Sequence, residues 1–415
     1  MMLFGVSLTA QTLPPIKTVF VISMENHNLV EPISDGTDAI FKNPAAPFIN
    51  SLITPGNSNA LQTTYCVHYY NVGVGVHPSE ANYIWSEAGT DFGIHTDGDP
   101  GTNFNNVFNA PHLTGQLDAA GISWKNYQED FQFATNPIVS ASGDDTNFTN
   151  AYNGASDFDY AVRHNPMAFF SDTQAENIYP LEQLFSDLSN HVAGRYNWIG
   201  PNTFNDQHSP LPGGFTYNGI TYTGEDAGIA QGDNFLSIIL PRIMASAEYQ
   251  DNGMIVIWYD ESEYEDDTNH PIPAIIISPW ARGNGYASQK IMSHSSDLKT
   301  MEEIFGLPLL TNAIPPAETS LTGTGYNTLD AVNDFSDLFR TTPLITDAHL
   351  LNGGFQLRFS GPTGTNYQIS TSEVLTTPAS IWTVVASGTF GDTNISWIDT
   401  QVSDYPTRFY RLSSP

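Results

Sequence analysis

A single cysteine, Cys66, stands in 415 residues, so no disulfide can close within the chain and no cysteine-ligated zinc site can be built. Its expected role is that of a small buried apolar residue. Basic residues are also scarce: 13 Lys and Arg face 44 Asp and Glu, a formal net charge of -31. A chain so poor in cations lacks the footprint by which nucleic acids or anionic lipid surfaces are held, so nucleic acid is not an expected partner. The same field repels a phosphate-bearing small molecule. Such a substrate needs a local cation, and a bound metal ion is the obvious source. Long hydrophobic runs are missing too, so no membrane-spanning helix is expected.

What is present is enough apolar material for a sizeable core, 40% hydrophobic and 12% aromatic, which suits one large domain plus a smaller one. The first eleven residues read as the back half of a secretory signal without its basic leader. Residues 1–12 are therefore expected to be a signal remnant, and the mature protein to be secreted or periplasmic. Segments 17–24, 254–259 and 273–278 are apolar and β-branched throughout, as strands buried on both faces should be. Helix-like stretches at 179–191 and 232–249 alternate with them. That alternation predicts an α/β fold, a three-layer α/β/α sandwich with a largely parallel central sheet. Functional side chains then collect beyond the carboxyl ends of the strands. Two strands are followed at once by candidates: Glu25 with Asn26, and Asp260 with Glu261. From 343 the pattern changes to short alternating segments at 355–359, 366–370, 382–385, 395–397 and 408–412, separated by turn residues. These predict a small all-β sandwich over 343–415 with no cluster of catalytic residue types.

The most informative stretch is His77-Pro78-Ser79-Glu80-Ala81-Asn82-Tyr83, which opens a helix expected to stop at Gly89. A serine there is either an N-cap or a nucleophile aimed at a phosphoryl group, with the helix N-terminus favouring the anion. Ligands for a metal elsewhere in the chain decide between these. Five separated segments offer them: Glu25-Asn26-His27, the Ser79 heptapeptide, Asn205-Asp206-Gln207-His208, Asp260-Glu261, and the pair His270 and His294. A mixed carboxylate–imidazole set suits hard or borderline divalent metals.

These residues, with the blocks 121–127, 160–166 and 294–308, resemble the metal-dependent phosphoesterase family of bacterial and fungal acid phosphatases and bacterial phospholipases C. The fold of that family is similar to that of the alkaline phosphatase superfamily. The resemblance covers roughly residues 17–310 and implies a catalytic domain over 13–342. By the resemblance, Ser79 is the nucleophile, Asn82 steadies a phosphoryl oxygen, and Glu25, Asn26, Asp260 and Glu261 are metal ligands. Asp206, His208 and His294 serve a second metal or the phosphate. Lys125, Arg163 and His164 fall in matching blocks and are candidates for phosphate contact, as are His77 and His270. One of His208, His270 or His294 is the expected proton donor to the leaving oxygen. The family usually has Pro where this chain has Ala81, which leaves the Ser79 backbone less constrained. The implied activity is hydrolysis of a small phosphate ester or a phospholipid head group with one or two divalent ions. A phosphomonoesterase is favoured over a phospholipase C-type phosphodiesterase, and an inactive surface-binding protein is the non-enzyme alternative. The C-terminal module is read as an attachment to a surface or glycan, as a spacer, or as an export-associated element.

Overall fold

The computed structural model describes residues 13–413 except 33, 37, 73–75, 101–106, 141–147, 264–265, 311–331, 341–342, 352, 361–365, 378–380 and 391–394. The expected signal remnant thus lies outside the described residues. Two compact units are present, Pro15–Leu338 and a second from Phe339 onward.

In chain order the larger unit carries β1 (Thr18–Met24), β2 (Thr63–Tyr70), β3 (Trp124–Gln128), β4 (Ile178–Pro180) and β5 (Tyr196–Gly200). A separate hairpin, β6 (Phe215–Tyr217) and β7 (Ile220–Tyr222), precedes β8 (Gly253–Tyr259), β9 (Ala274–Ile277) and β10 (Tyr286–Ser293). Eight of these form one sheet in the order β10-β2-β9-β8-β1-β5-β3-β4. Neighbours are parallel except at β9, which runs against both β2 and β8. Every residue of β1 and β8 is buried, as their β-branched runs require. Their register pairs Met24 with Tyr259, so Glu25 and Asp260 emerge side by side at the same end of the sheet. That is how residues 235 positions apart reach one site.

Helices α1 (Pro47–Ile53), α2 (Ser79–Ala88), α3 (Leu113–Ala119), α4 (Glu182–Asn190), α5 (Glu225–Met244), α6 (Ala247–Gln250) and α7 (His294–Phe305) cover the sheet, making three α/β/α layers. α2 packs on α7 and α3, and α1 on α5. All ten residues of α2 are buried, and it ends where expected, at Gly89 in the left-handed region. Inside it, Glu87 Oε2 accepts from the Thr114 amide (2.9 Å) and hydroxyl (2.7 Å), while burial pushes the carboxyl above its usual range. α5 starts seven residues before the expected position. Gly228 and Gly232 hide its first turns from a pattern reading, yet both are needed there. A Cβ on Gly228 would stand 2.8 Å from the Gln207 carbonyl oxygen, and one on Gly232 3.0 Å from that of Asn205. α5 therefore lies directly against the 205–207 turn. Cys66 is buried, as expected. No helix among the described residues is long and apolar enough to cross a membrane.

The second unit holds two three-stranded antiparallel sheets. One is β11 (Leu344–Leu351), β12 (Gly354–Ser360) and β15 (Ile395–Asp399); the other is β13 (Asn366–Ser372), β14 (Thr383–Thr389) and β16 (Phe409–Ser413). Phe355, Leu357 and Phe359 from one sheet pack with Ile369 of the other around Phe390. β11 is absent from the strands expected above, its alternation being interrupted by Thr346 and Asp347.

Candidate active site

Ser79 is the first residue of α2, and the N-cap position belongs to Pro78. The N-cap reading of Ser79 therefore fails. Its buried Oγ instead lies 3.1 Å from Glu25 Oε2 and 3.2 Å from Glu261 Oε1. Helical spacing puts Asn82 and Tyr83 on the same face as Ser79. Asn82 Nδ2 donates to Glu261 Oε2 (2.9 Å) and to the Val76 carbonyl (3.0 Å). The Tyr83 hydroxyl donates to Glu25 Oε1, and its ring stacks on His164 with centroids 5.0 Å apart. Tyr83 sits inside the heptapeptide but was missed, because a tyrosine in a buried helix reads as packing. Its place one turn after Ser79 was the available signal.

Asn26 turns the chain at the end of β1 with φ 47, a left-handed conformation that asparagine tolerates better than most residues. The turn aims its amide N–H at Asp260 Oδ1 (3.0 Å) and its side-chain Nδ2 at His208 Nδ1 (3.0 Å). Asp260 Oδ1 also accepts from the Glu261 amide (2.7 Å), while its Oδ2 is buried without a hydrogen-bond partner. His77 Nδ1 lies 2.5 Å from Glu261 Oε2. The hydrogen bond to that carboxylate holds the His77 imidazole charged to well above its usual range.

Glu25, His164 and Asp206 each bring one ligand atom within 4.8 Å of the others, a group that could hold a metal ion. His164 lies between the two acids, Nε2 3.5 Å from Glu25 Oε1 and Nδ1 3.4 Å from Asp206 Oδ2. The resemblance had placed His164 with the phosphate; the geometry puts it among the metal-ligating candidates. Asp206 Oδ1 accepts from the His208 amide (2.8 Å), and Oδ2 is buried with no hydrogen-bond partner. Four buried acids crowd this end of the sheet. Burial pushes the carboxyls of Glu25 and Asp206 up to about 7 and that of Glu261 to about 8. Burial and the neighbouring Glu25 push Asp260 well up too. Uncompensated buried carboxylates are costly, and orphaned oxygens more so. An oxygen-rich set with one imidazole fits a divalent cation, which would offset both penalties.

A cavity of about 180 Å³ opens beside Ser79, lined also by Arg163, His164, His208, Asp97 and Thr203. Arg163 Nη1 lies 3.5 Å from Asp97 Oδ2, and its buried Nε has no hydrogen-bond partner. His208 is the more open imidazole, its side chain 43% exposed, with Nδ1 3.6 Å from Glu25 Oε2.

Three candidates do not join this group. Lys125 pairs through Asn197 with Phe20, four residues before the end of β1, roughly 13 Å back along the strand. There its ammonium meets Asp187 at 2.6 Å, so it is removed from the phosphate-binding set. His270 gives one ring nitrogen to Asp267 (2.8 Å) and the other to Asp35 (3.1 Å), leaving none for a phosphate. His294, the first residue of α7, has both nitrogens engaged: Nε2 donates to the Asp260 carbonyl (2.5 Å) and Nδ1 accepts from the Tyr69 hydroxyl (2.9 Å). Burial drives its pKa down to about 3, so it is neutral and cannot serve as the proton donor.

A buried hydroxyl thus lies among acids that could hold a cation, just past the carboxyl ends of the parallel strands β1 and β8. Residues 41–308 match the Phosphoesterase family, and the chain belongs to that family. Over 313 residues it is 26% identical to a phosphatidylinositol-3-phosphatase of Mycobacterium tuberculosis, covering 75% of this chain and 85% of that protein. It is also 26% identical over 241 residues to a probable acid phosphatase of Kluyveromyces lactis, covering 56% of this chain. There the alignment takes in 50% of the relative, so the chain spans half the length of that protein. A member of the alkaline phosphatase superfamily from Vibrio parahaemolyticus superposes with a TM-score of 0.45 at 12% identity, covering 85% of this chain and 79% of that one. The chain is a phosphoric ester hydrolase.

Proposed function

We propose that this hydrolase is a metal-dependent phosphomonoesterase that works through a phosphoserine at Ser79. The observation that carries the reading is the Ser79 hydroxyl, buried at the start of α2 within 3.1 and 3.2 Å of two carboxylates. The acids give its proton an acceptor, and the helix N-terminus favours the arriving anion. Glu25, His164 and Asp206, with Asp260 and Glu261 alongside, would hold the divalent ion, which when bound supplies positive charge to a hydroxyl and to phosphoryl oxygens. Ser79 Oγ bonds to phosphorus as the ester P–O bond breaks. As an imidazolium, with Nδ1–H accepted by the otherwise unpartnered Asn26 side-chain oxygen once that amide is turned over, His208 gives the departing oxygen a proton from Nε2. Arg163 offers its unspent Nε–H to a non-bridging oxygen. Water then cleaves the phosphoserine, restoring the hydroxyl and releasing phosphate.

The small cavity and the names of the relatives, a phosphatidylinositol-3-phosphatase and an acid phosphatase, support a terminal phosphate as substrate. The charge of -31 disfavours an anionic lipid surface and supports a soluble ester. The reading includes export, supported by the apolar start followed by small residues.

The test compares release of p-nitrophenol from its phosphomonoester and its phosphocholine diester, with and without chelator. Wild-type enzyme should prefer the monoester and lose activity in chelator. Ser79→Ala should lower kcat by a factor on the order of 10⁶, as loss of a nucleophile does. Full activity in Ser79→Ala would overturn the mechanism, and preference for the diester would overturn the substrate class.

A further inference from the structure

Beyond the site, the mechanism leaves unused a pair of adjacent buried acids, Glu129 and Asp130, just past the end of β3. Glu129 Oε1 accepts from the side-chain amides of Asn150 (2.6 Å) and Asn205 (2.8 Å), and Oε2 from the backbone N–H of Asn202 (2.9 Å). Asp130 Oδ2 accepts from the Asn202 side-chain amide (2.7 Å). Two carboxylates thus grip one asparagine, by its backbone and by its side chain.

Asn202 passes that grip on. Its Oδ1 accepts from the amides of Phe204 (3.1 Å) and Asn205 (2.9 Å), and its carbonyl accepts from the amide of Asp206 (2.9 Å). Asp206 in turn accepts the Glu25 amide on its own carbonyl (2.9 Å) and the His208 amide on Oδ1 (2.8 Å). An unbroken series of hydrogen bonds therefore runs from Glu129 to the backbone of Asp206, then to Glu25 and His208. Burying two carboxylates is costly, and a neutral side chain could fill the same space. A carboxylate accepts several N–H donors at once where an amide must also donate, so only an acid satisfies all three donors converging on Glu129. We propose that Glu129, acting through Asn202, is a positioning residue that fixes the 202–208 turn, so that Asp206 lies ready to share a divalent ion with Glu25 and His164. This rests on the metal reading of the site given above.

The consequence is specific. In Glu129→Gln one oxygen still serves Asn150 and Asn205, but the new NH2 faces the Asn202 N–H, donor against donor. The turn would loosen at Asn202 while the core around it keeps its shape. The test uses the full-length, metal-stripped protein and titrates Mn²⁺ by calorimetry, with the melting temperature in chelator measured beside it. Glu129→Gln and Asn202→Ala should each bind Mn²⁺ about 10- to 100-fold more weakly, the usual loss when an outer partner of a metal ligand is removed. Raising Mn²⁺ should restore part of their turnover of p-nitrophenyl phosphate. The comparison variant is Asp233→Asn, a buried acid in α5 that accepts the amides of Phe48 (2.9 Å) and Ile49 (2.7 Å) at the start of α1. It should melt lower yet keep the wild-type Mn²⁺ affinity. If Glu129→Gln and Asn202→Ala also melt lower with unchanged affinity, their role is structural and the proposal is overturned. Should Glu129→Gln not fold, Asn202→Ala decides alone. Wild-type protein that binds no Mn²⁺ and hydrolyses the monoester in chelator sinks the metal reading and this proposal together, a failure recognised because the parent protein shows it.

Discussion

Tyr83 shows how one side chain serves two neighbours. Its hydroxyl orients Glu25 while its ring, tilted 10° from the imidazole plane, fixes the face of His164. Tyr83→Phe keeps the ring and removes only the donor. We expect kcat/KM to fall about 10-fold or more, since a ligand loses its orienting partner, with circular dichroism unchanged. Steady-state kinetics check this, and wild-type kcat/KM in the variant would show that Glu25 needs no such support. His294 makes a related point. A histidine beside acids suggests acid–base work, yet both nitrogens are spent and burial keeps it neutral. Residue type announced its chemistry in the sequence; only the partners revealed which chemistry was free to occur.

At the scale of elements, α5 depends on two glycines that allow the 205–207 turn to approach it. Gly228→Ala gains about 1 kcal/mol of helix propensity. Against this, the new Cβ would sit 2.8 Å from a backbone oxygen that cannot swing aside, and overpacking of that kind costs about 1–3 kcal/mol. The net expectation is a loss, read as a lower denaturant midpoint with an unchanged slope; a stabilised variant would contradict the contact. Those glycines also explain why the start of α5 was illegible, since a residue chosen for close approach looks like a helix breaker. The strands were legible because burial on both faces leaves continuous apolar runs, and the acids just past 24 and 259 followed from them. The direction of β9 was not, because its apolar run would read the same in a parallel or an antiparallel central strand. That Lys125 lies far from the site was illegible for a related reason: membership of a matching block says nothing about which end of a strand a residue occupies.

For the whole molecule, the net charge of -31 acts on any phosphate substrate before the site does. Salt screens that repulsion, so KM for a phosphomonoester should fall as ionic strength rises. A KM that rises with salt would place attractive charge at the entrance instead. The acids of the site make a second global prediction. Glu25 and Asp206 titrate near 7 when folded, against ordinary values of 4.5 and 3.8. Over that interval the metal-free folded protein holds protons the unfolded chain has released, so its stability falls as pH rises from about 4 to about 7. Melting temperature in chelator should decline across this window and be restored by a divalent ion; a flat profile would mean the acids are not buried together. The most direct measurement is acid quenching of the enzyme during turnover of p-nitrophenyl phosphate, followed by peptide mass spectrometry. The account predicts covalent phosphate on Ser79, absent from Ser79→Ala. Phosphate on another residue, with Ser79 unmodified, would contradict it.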